Sequence, residues 1–201
     1  MKNPLFVVSA PSGAGKTTLV RHLLAKEKTV QLSISTTTRP PRAGEKDGID
    51  YFFTSIADFK EKIANNAFAE YAQVHGNFYG TAKVWLEKAL EKNEVLLEID
   101  VQGAAQIKKV FPQAILIFIF PPSLAILKER LTGRKTDSQE VIKKRLSAAI
   151  DEMRRAADFD YVIMNDHLAT AVEELVAVIK AARCRTAFQK MRHPALFALE
   201  G

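Results

Sequence analysis

The sequence predicts an α/β fold in which a parallel β-sheet is flanked by helices. Short apolar, β-branched runs alternate with helical segments along most of the chain, which is the pattern of such sheets. The first run, Leu5–Ala10, leads directly into a Gly-rich loop and a helix. The alternation breaks over residues 35–92, which indicates a small mixed insert beside the sheet. Because parallel sheets bind ligands at the carboxyl ends of their strands, we expect the functional residues there.

Each predicted element is bounded by turn residues, Pro or a capping side chain. The predicted core strands are Leu5–Ala10, Val30–Ser35, Val95–Ile99, Ala114–Phe120 and Tyr161–Met164. The predicted core helices are Lys16–Lys26, Gln102–Val110, Leu124–Leu131, a long helix capped by Ser138 that ends at about Ala157, and Thr170–Lys190. The insert has predicted strands Tyr51–Phe53 and Phe68–Val74, a helix Phe59–Asn65 with a capped start at Ser55, and a helix Thr81–Asn93.

We expect one domain over residues 1–201 with three parts. The core comprises residues 1–34, 93–128 and 158–190, and the insert comprises residues 35–92. Residues from about 129 to 157 form a lid, in which Thr132–Asp137 is a polar loop. This loop and the insert are the segments that we expect to close over a bound ligand.

Composition narrows the possible partners. The net charge of +6 and the sequence pI of about 9.4 favour a protein that handles anions. No basic run with interleaved aromatic residues is present, so nucleic acid is not an expected partner. The apolar run Ala114–Phe120 is far shorter than the roughly 20 residues that span a bilayer, so no membrane partner is expected. The single cysteine excludes an internal disulfide and fits a cytoplasmic protein, whose oligomeric state stays open.

The loop after the first strand has the spacing of a phosphate-binding P-loop. Gly13 and Gly15 let backbone N–H groups close around phosphate oxygens, and the following helix directs its N-terminus at the same anion. Lys16 is expected to reach the β- and γ-phosphates of ATP, and the Thr17 hydroxyl to ligate Mg²⁺. Ala10 stands where the general pattern has its first Gly. The predicted ATP-binding residues of the loop are Ala10, Pro11, Ser12, Gly13, Ala14, Gly15, Lys16, Thr17 and Thr18.

A P-loop is shared by many classes of enzyme, and two missing motifs narrow the choice. Signalling GTPases read guanine with an Asn-Lys-x-Asp motif, which this sequence lacks, and carry an Asp-x-x-Gly motif that the second predicted strand, Val30–Ser35, lacks. The P-loop therefore favours a small-molecule kinase, with a Gly-rich turn before an unrelated helix as the structural alternative.

A second loop carries groups that suit another phosphate. Arg39 and Arg42 lie three residues apart around two prolines, and guanidinium donors match phosphate oxygens in pairs. Tyr51 and Tyr79 add phenolic donors. The alternative for the Arg-Pro-Pro-Arg sequence alone is a surface turn.

Glu70 has two interpretations. A lone glutamate on a strand is most often a solvated edge residue. A carboxylate can also accept from the adjacent N1–H and N2–H₂ donors of guanine, while Ser35 or Thr81 donates to O6. Adenine would present a lone pair to the same carboxylate, so a buried reader of this kind discriminates by about 10⁴ or more.

Several motifs together resemble those of the guanylate kinase family. The match extends from Phe6 to about Asp166 and is highly specific. Its pieces are residues 9–16 (Ser-Ala-Pro-Ser-Gly-Ala-Gly-Lys), 35–42 with Gly44-Glu45, Asp50-Tyr51, Phe68–Tyr71, Gly76–Thr81, Glu98–Asp100 with Gln102-Gly103, Arg130–Arg134, Asp137-Ser138, Lys144–Leu146 and Asn165-Asp166. Glu98 stands where Asp is commoner in the family, Lys135 where Gly is common, and His167 where Asp is common.

The resemblance implies a role for each matching residue. Binding of GMP is implied for Ser35, Arg39, Arg42, Tyr51, Tyr79, Glu70, Thr81, Asp100 and Glu98. Asp100 and Glu98 are candidates for contacts either to guanine or to the Mg²⁺ region. The implied catalytic residues are Lys16 and the lid arginines Arg130, Arg134 and Arg145. Asn165 is implied to contact ATP on the adenine side.

The implied reaction is in-line transfer of the terminal phosphoryl group of ATP, with Mg²⁺, to GMP. It needs positioning and charge neutralisation, and no general base stands out. No residue can be assigned to the ribose 2′ position, so dGMP stays open as an acceptor. Two rival classes are a binding module that keeps the fold but recognises a peptide, and a kinase of another nucleotide or small alcohol. Lys16, Thr17 and the lid arginines argue against the binding module. Glu70 with Thr81 argues for guanine over other bases, and Arg39 with Arg42 argues for a phosphate acceptor over a sugar alcohol.

Overall fold

A computed structural model describes residues 3–74, 76–132 and 139–198, without the side chain of Gln139. In chain order its strands are β1 (Leu5–Ser9), β2 (Val30–Leu32), β3 (Thr36–Thr37), β4 (Phe52–Phe53), β5 (Phe68–Val74), β6 (Asn77–Ala82), β7 (Glu94–Glu98), β8 (Ile115–Phe120) and β9 (Tyr161–Met164). Its helices are α1 (Lys16–Lys26), α2 (Ile56–Ala64), α3 (Lys83–Lys92), α4 (Val101–Val110), α5 (Leu124–Thr132), α6 (Gln139–Arg154), α7 (Leu168–Arg183), α8 (Thr186–Arg192) and α9 (Pro194–Phe197).

The central sheet has five parallel strands in the order β2-β7-β1-β8-β9, flanked by helices, which confirms the predicted fold class. Side chains of β1 alternate between the faces: Phe6 and Val8 pack with residues of α1 and α7, while Leu5 and Val7 pack with residues of α3 and α4. Both faces are therefore apolar, and β1 is buried at every position.

A separate four-stranded mixed sheet has the order β4-β3-β6-β5. All of its strands come from residues 35–92, and all strands of the central sheet come from outside that range. The finer division of the chain into core, insert and lid stays a prediction.

Several element boundaries differ from those predicted, most of them by one to three residues. β2 ends at Leu32 instead of Ser35, and α3 begins at Lys83 instead of Thr81. The strand β6, which precedes α3 in the chain, was not predicted. Its polar and glycine residues form a strand only by pairing with β3 and β5. In α2, Ser55 caps the helix as expected, accepting from the Asp58 N–H at 3.0 Å, but the helix begins earlier than Phe59. The predicted cap Ser138 of the long lid helix lies outside the described residues.

The predicted helix Thr170–Lys190 is two helices, α7 and α8, joined at Cys184 and Arg185. Arg185 has an extended backbone, with φ of −57° and ψ of 133°, and this bend turns Phe188 into the core. Phe188 is only 1% exposed, so its burial favours the break over a continuous helix.

An ion-pair network ties the end of α7 to the start of β7. The Arg183 guanidinium donates to both oxygens of Glu94, at 2.7–3.0 Å, and lies 2.8 Å from a Glu27 oxygen. Arg192 adds a donor to Glu94 at 3.1 Å. Burial raises the pKa of Glu94, but the bonds from Arg183 and Arg192 outweigh it, so this pKa lies below its ordinary value.

Replacing Arg183 is expected to destabilise the fold strongly. Arg183→Met leaves the carboxylates of Glu94 and Glu27 buried without their main partner, and such a break costs about 3–5 kcal/mol. Urea unfolding of Arg183→Met measures the loss, with Lys180→Met on the exposed side of the same helix as the control. Equal stabilities of the two variants would contradict a stabilising role for this network.

Candidate active site

The P-loop has the backbone that a phosphate cradle needs. Gly13 and Gly15 have φ of +89° and +90°, in the left-handed region that favours glycine, and Gly15 precedes the first residue of α1. A Cβ on Gly15 would lie 2.6 Å from Nδ2 of Asn165, so glycine is also required by close packing. The loop therefore presents backbone N–H groups and a helix N-terminus at the carboxyl end of β1.

Lys16 is surrounded by carboxylates from neighbouring strands. Its ammonium donates to the Ile99 carbonyl at 3.2 Å, directly after β7. Burial lowers the pKa of Lys16, while the charges of Glu98 and Asp100 raise it. The Thr17 hydroxyl donates to a carboxylate oxygen of Glu98. Because β7 lies beside β1, hydroxyl and carboxylate oxygens meet at the mouth of the P-loop.

The second loop holds Arg39 in a fixed position. Its guanidinium donates to both carboxylate oxygens of Glu45, at 2.8 and 3.0 Å, and this bond raises the pKa of Arg39. It also lies 5.3 Å from the centre of the Tyr51 ring. Glu45 accepts from the backbone N–H of Arg42 at 2.7 Å, which closes the loop and leaves the Arg42 side chain exposed.

Glu70 is a buried carboxylate with a prepared environment. It is only 3% exposed and accepts from the Thr81 hydroxyl at 2.7 Å. Burial raises the pKa of Glu70 to about 7, opposed by the bond from Thr81. A register shift between Phe68 and Glu70 on β5 places Glu70 opposite Thr81 of β6. A Cβ on Gly103 would lie 2.5 Å from Oε2 of Glu70, so α4 approaches this carboxylate as closely as glycine allows.

Two cavities meet at the P-loop. The larger, of about 570 Å³, lies between the two sheets, and the smaller, of about 350 Å³, lies over the P-loop. Lys16, Thr17 and Asp100 line both cavities. The predicted residues in the larger cavity are Lys16, Thr17, Ser35, Arg39, Arg42, Tyr51, Glu70, Tyr79, Glu98 and Asp100. Those in the smaller one are Ala10, Pro11, Ser12, Gly13, Gly15, Lys16, Thr17 and Thr18. The site therefore has two groups that can bind anions, the P-loop and the loop with Arg39 and Arg42, and Lys16 lies between them.

Comparisons with known proteins agree with this geometry. The family model for guanylate kinase matches residues 2–182. The chain belongs to the guanylate kinase family. It is 56% identical over 198 residues to a guanylate kinase of Dechloromonas aromatica (strain RCB), covering 98% of each chain. It is 51% identical over 194 residues to one of Aromatoleum aromaticum, covering 96% of this chain and 95% of that protein. The crystal structure of guanylate kinase from Anaplasma phagocytophilum superposes with a TM-score of 0.78 at 29% identity, over 98% of this chain and 97% of that one.

Two residues predicted to contact nucleotide are hydrogen-bonded to other groups of the protein. Thr81 is fully buried and donates its hydroxyl to Glu70, so it orients that carboxylate. Asn165 is 7% exposed and donates to the Ala14 carbonyl at 2.7 Å. Neither lines the two cavities, because each satisfies a buried acceptor. Ala14 is likewise buried within the loop.

Asp100 both caps a helix and faces the cavities. One oxygen accepts from the Gly103 N–H at 2.8 Å and caps α4. The residue also lines both cavities, since the cap lies at the carboxyl end of β7. Capping fixes the carboxylate next to the P-loop.

The lid arginines that the structure describes contact the P-loop. Arg130 donates to the Gly13 carbonyl at 3.4 Å, and Arg145 donates to the Ser12 hydroxyl at 3.3 Å. Arg134 lies outside the described residues. α5 and α6 therefore bring two cations beside the phosphate cradle.

Sequence reasoning assigned no role to Glu45, Gly103 or Glu152. Glu45 and Gly103 stand inside the matched motifs, but their tasks depend on contacts with Arg39 and Glu70 that the sequence does not display. Glu152 lines the smaller cavity from α6. The sequence contains one indication of a role for Glu152: it follows Arg145 by seven residues, which places both side chains on one face of the helix.

Oxygen donors dominate the region where a metal ion could bind. Among the described residues, no group of three or more His, Cys, Asp or Glu side chains has the arrangement of a metal centre. Thr17 with Glu98 matches the sparser set with which proteins hold Mg²⁺, whose remaining positions go to water and phosphate oxygens. Separately, none of the helices in the described ranges is long and apolar enough to cross a membrane.

The raised pKa of Glu70 predicts a pH-dependent stability difference. Folding raises this pKa from 4.5 to about 7, so the stabilisation by the protonated form is complete below pH 4.5 and is lost as pH rises through 7. At about 1.4 kcal/mol per pKa unit, Glu70→Gln should gain about 2–4 kcal/mol relative to the parent chain between pH 4.5 and pH 8.

Urea unfolding of the unliganded protein at both pH values measures this gain. The control is Glu87→Gln, an exposed position on α3, which should show the same stability difference from the parent chain at both pH values. A Glu70→Gln difference that does not change with pH would contradict a raised pKa at Glu70.

Proposed function

We propose that this chain is a guanylate kinase that transfers the γ-phosphoryl group of ATP to GMP, giving ADP and GDP, in purine nucleotide metabolism. The observation that carries the proposal is the pair of adjoining cavities with Lys16, Thr17 and Asp100 at their junction. The smaller cavity is lined by the P-loop, which suits a triphosphate. The larger cavity is lined by Arg39 and Arg42 and by the buried carboxylate of Glu70. Membership of the guanylate kinase family supports the same pair of substrates.

The phosphate of GMP is proposed to bind Arg39 and Arg42, with Ser35, Tyr51 and Tyr79 completing the shell. Glu45 holds Arg39 by two bonds, so the guanidinium is preoriented before any ligand arrives. The two tyrosine rings lie 6.1 Å apart, and both line the larger cavity. Five such groups suit a dianion, and a sugar alcohol would leave them unpaired.

Guanine is proposed to bind Glu70 through its N1–H and N2–H₂ groups. The Thr81 hydroxyl already satisfies one oxygen of Glu70 and fixes its plane, while Gly103 lets the carboxylate stay between β5 and α4. Asp100 is the second carboxylate on this side of the cavity. Ionised Glu70 is the form that accepts both donors, so GMP binding is expected to lower its pKa.

Charge neutralisation is the proposed catalytic contribution of the protein. A GMP phosphate oxygen attacks the γ-phosphorus and ADP leaves, so no proton has to be removed by a side chain. Lys16 lies at the junction of the two cavities, and Arg130, Arg134 and Arg145 are proposed to reach the transferring group. Mg²⁺, held by Thr17 with Glu98 and the phosphates, would supply further charge stabilisation when bound.

The decisive experiment is ADP release by the purified protein with MgATP and, in turn, GMP, AMP, CMP and UMP. We expect turnover with GMP and at least about 10⁴-fold lower kcat/KM with the other three, because Glu70 would face mismatched base edges. Comparable turnover with another monophosphate would overturn the assignment of Glu70. GMP binding without turnover in any mixture would favour a binding module.

Arg42→Met tests the proposed GMP phosphate site. Removing one charge-assisted contact costs about 1.5–3 kcal/mol, so KM for GMP should rise about 10- to 100-fold while KM for ATP stays within about twofold. The matched control is Lys46→Met, an exposed position in the same loop that does not line the cavity. Equal increases in both KM values would place Arg42 outside the GMP site.

A further inference from the structure

Two side chains of α6 face the P-loop. Arg145 donates to the Ser12 hydroxyl at 3.3 Å, and Glu152, seven residues later, lines the cavity over the P-loop together with Ser12. The backbone N–H donors of such a loop normally face phosphate oxygens. A carboxylate of the protein thus lies where an anionic ligand is expected.

Glu152 lies in the smaller cavity among charged groups from several elements. It is half-buried and lines the 350 Å³ space together with residues of the P-loop. Burial raises its pKa most, and the charge of Asp100, the cap of α4, raises it further. Lys16 on α1 and the Ser12 N–H oppose this increase. Arg145 on α6 and Arg130 on α5 contact the P-loop beside it.

The negative charge of Glu152 repels the anionic ligands that the P-loop attracts. A nucleotide triphosphate without metal brings about four negative charges into a cavity that already has the carboxylates of Glu152 and Asp100. A magnesium ion cancels two of those charges, so the repulsion from a fixed carboxylate is smaller for the metal complex. The Glu152 carboxylate therefore discriminates between the two forms of the same nucleotide by charge alone.

We propose that Glu152 is a selectivity residue: its carboxylate lies in the cavity over the P-loop and favours the binding of MgATP over that of metal-free polyphosphates. This inference rests on the proposed function, since it takes ATP as the ligand of the P-loop. It assigns to α6 a second role beside carrying Arg145: the helix places a carboxylate in the cavity over the P-loop, where this carboxylate favours a ligand of reduced charge.

Calorimetric titration with ATP in the absence of GMP tests the proposal without requiring turnover. Glu152→Gln keeps the shape of the side chain and removes its charge. We expect its affinity for ATP in EDTA to increase about tenfold, and its affinity for MgATP to increase only about threefold, relative to the parent chain. Its affinity for GMP should remain within about twofold, which also shows that the variant is folded. Glu140→Gln, an exposed position on the same helix, is the control and should change none of these affinities.

The outcomes separate the two proposals. Glu152→Gln with unchanged or weaker ATP binding, or with equal gains in EDTA and Mg²⁺, would overturn the role of Glu152 and leave the proposed function intact. A parent chain that binds GMP but no form of ATP would overturn the proposed function itself. The larger gain in EDTA is the result that supports the inference, because a purely structural contact would not distinguish metal-free from metal-bound nucleotide.

Discussion

The desolvation of charge around Lys16 is the constraint on which the rest of the structure depends. An ammonium taken out of water loses its proton more readily, and burial indeed lowers the pKa of Lys16. Carboxylates at the end of β7 offset that cost, since Glu98 and Asp100 both raise the same pKa. The neighbouring position of β7 and β1 in the sheet is what makes the compensation possible. Strand order and phosphate chemistry are therefore linked at this point.

β7 is anchored at both ends by charged groups. At its start, Glu94 accepts from Arg183 and Arg192, which fastens α7 and α8 to the sheet. At its other end, Glu98 accepts from Thr17 beside the P-loop. The first set stabilises the fold and the second prepares the site, so one strand connects the C-terminal helices to the phosphate cradle.

At Glu70, the form of the side chain that suits the proposed function lowers the stability of the fold. Its burial favours the protonated form, so keeping it ionised for a ligand lowers the stability of the unliganded protein near neutral pH. The bond from Thr81 and the absence of a side chain at Gly103 hold the carboxylate in place. Such preorganisation is useful only if a ligand with matching donors enters the larger cavity.

The sequence by itself determined the α/β class, the P-loop and the family. These depend on local patterns: apolar runs of strand length, glycines at positions with positive φ, and Lys-Thr at a helix start. The resemblance to the family also selected Arg39, Glu70 and Asp100, and their residue types suit an anion and a base with paired donors.

The tertiary structure decided what depends on contacts between distant segments. It formed β6 by pairing with β3 and β5, and it bent the last predicted helix so that Phe188 could be buried. It also paired Thr81 with Glu70 and Asn165 with the Ala14 carbonyl, because these buried acceptors require donors. It also brought Glu152 to the P-loop cavity, which Ser12 and Glu152 both line although 140 residues of chain separate them. No local pattern encodes such a distance, and only packing brings those groups together.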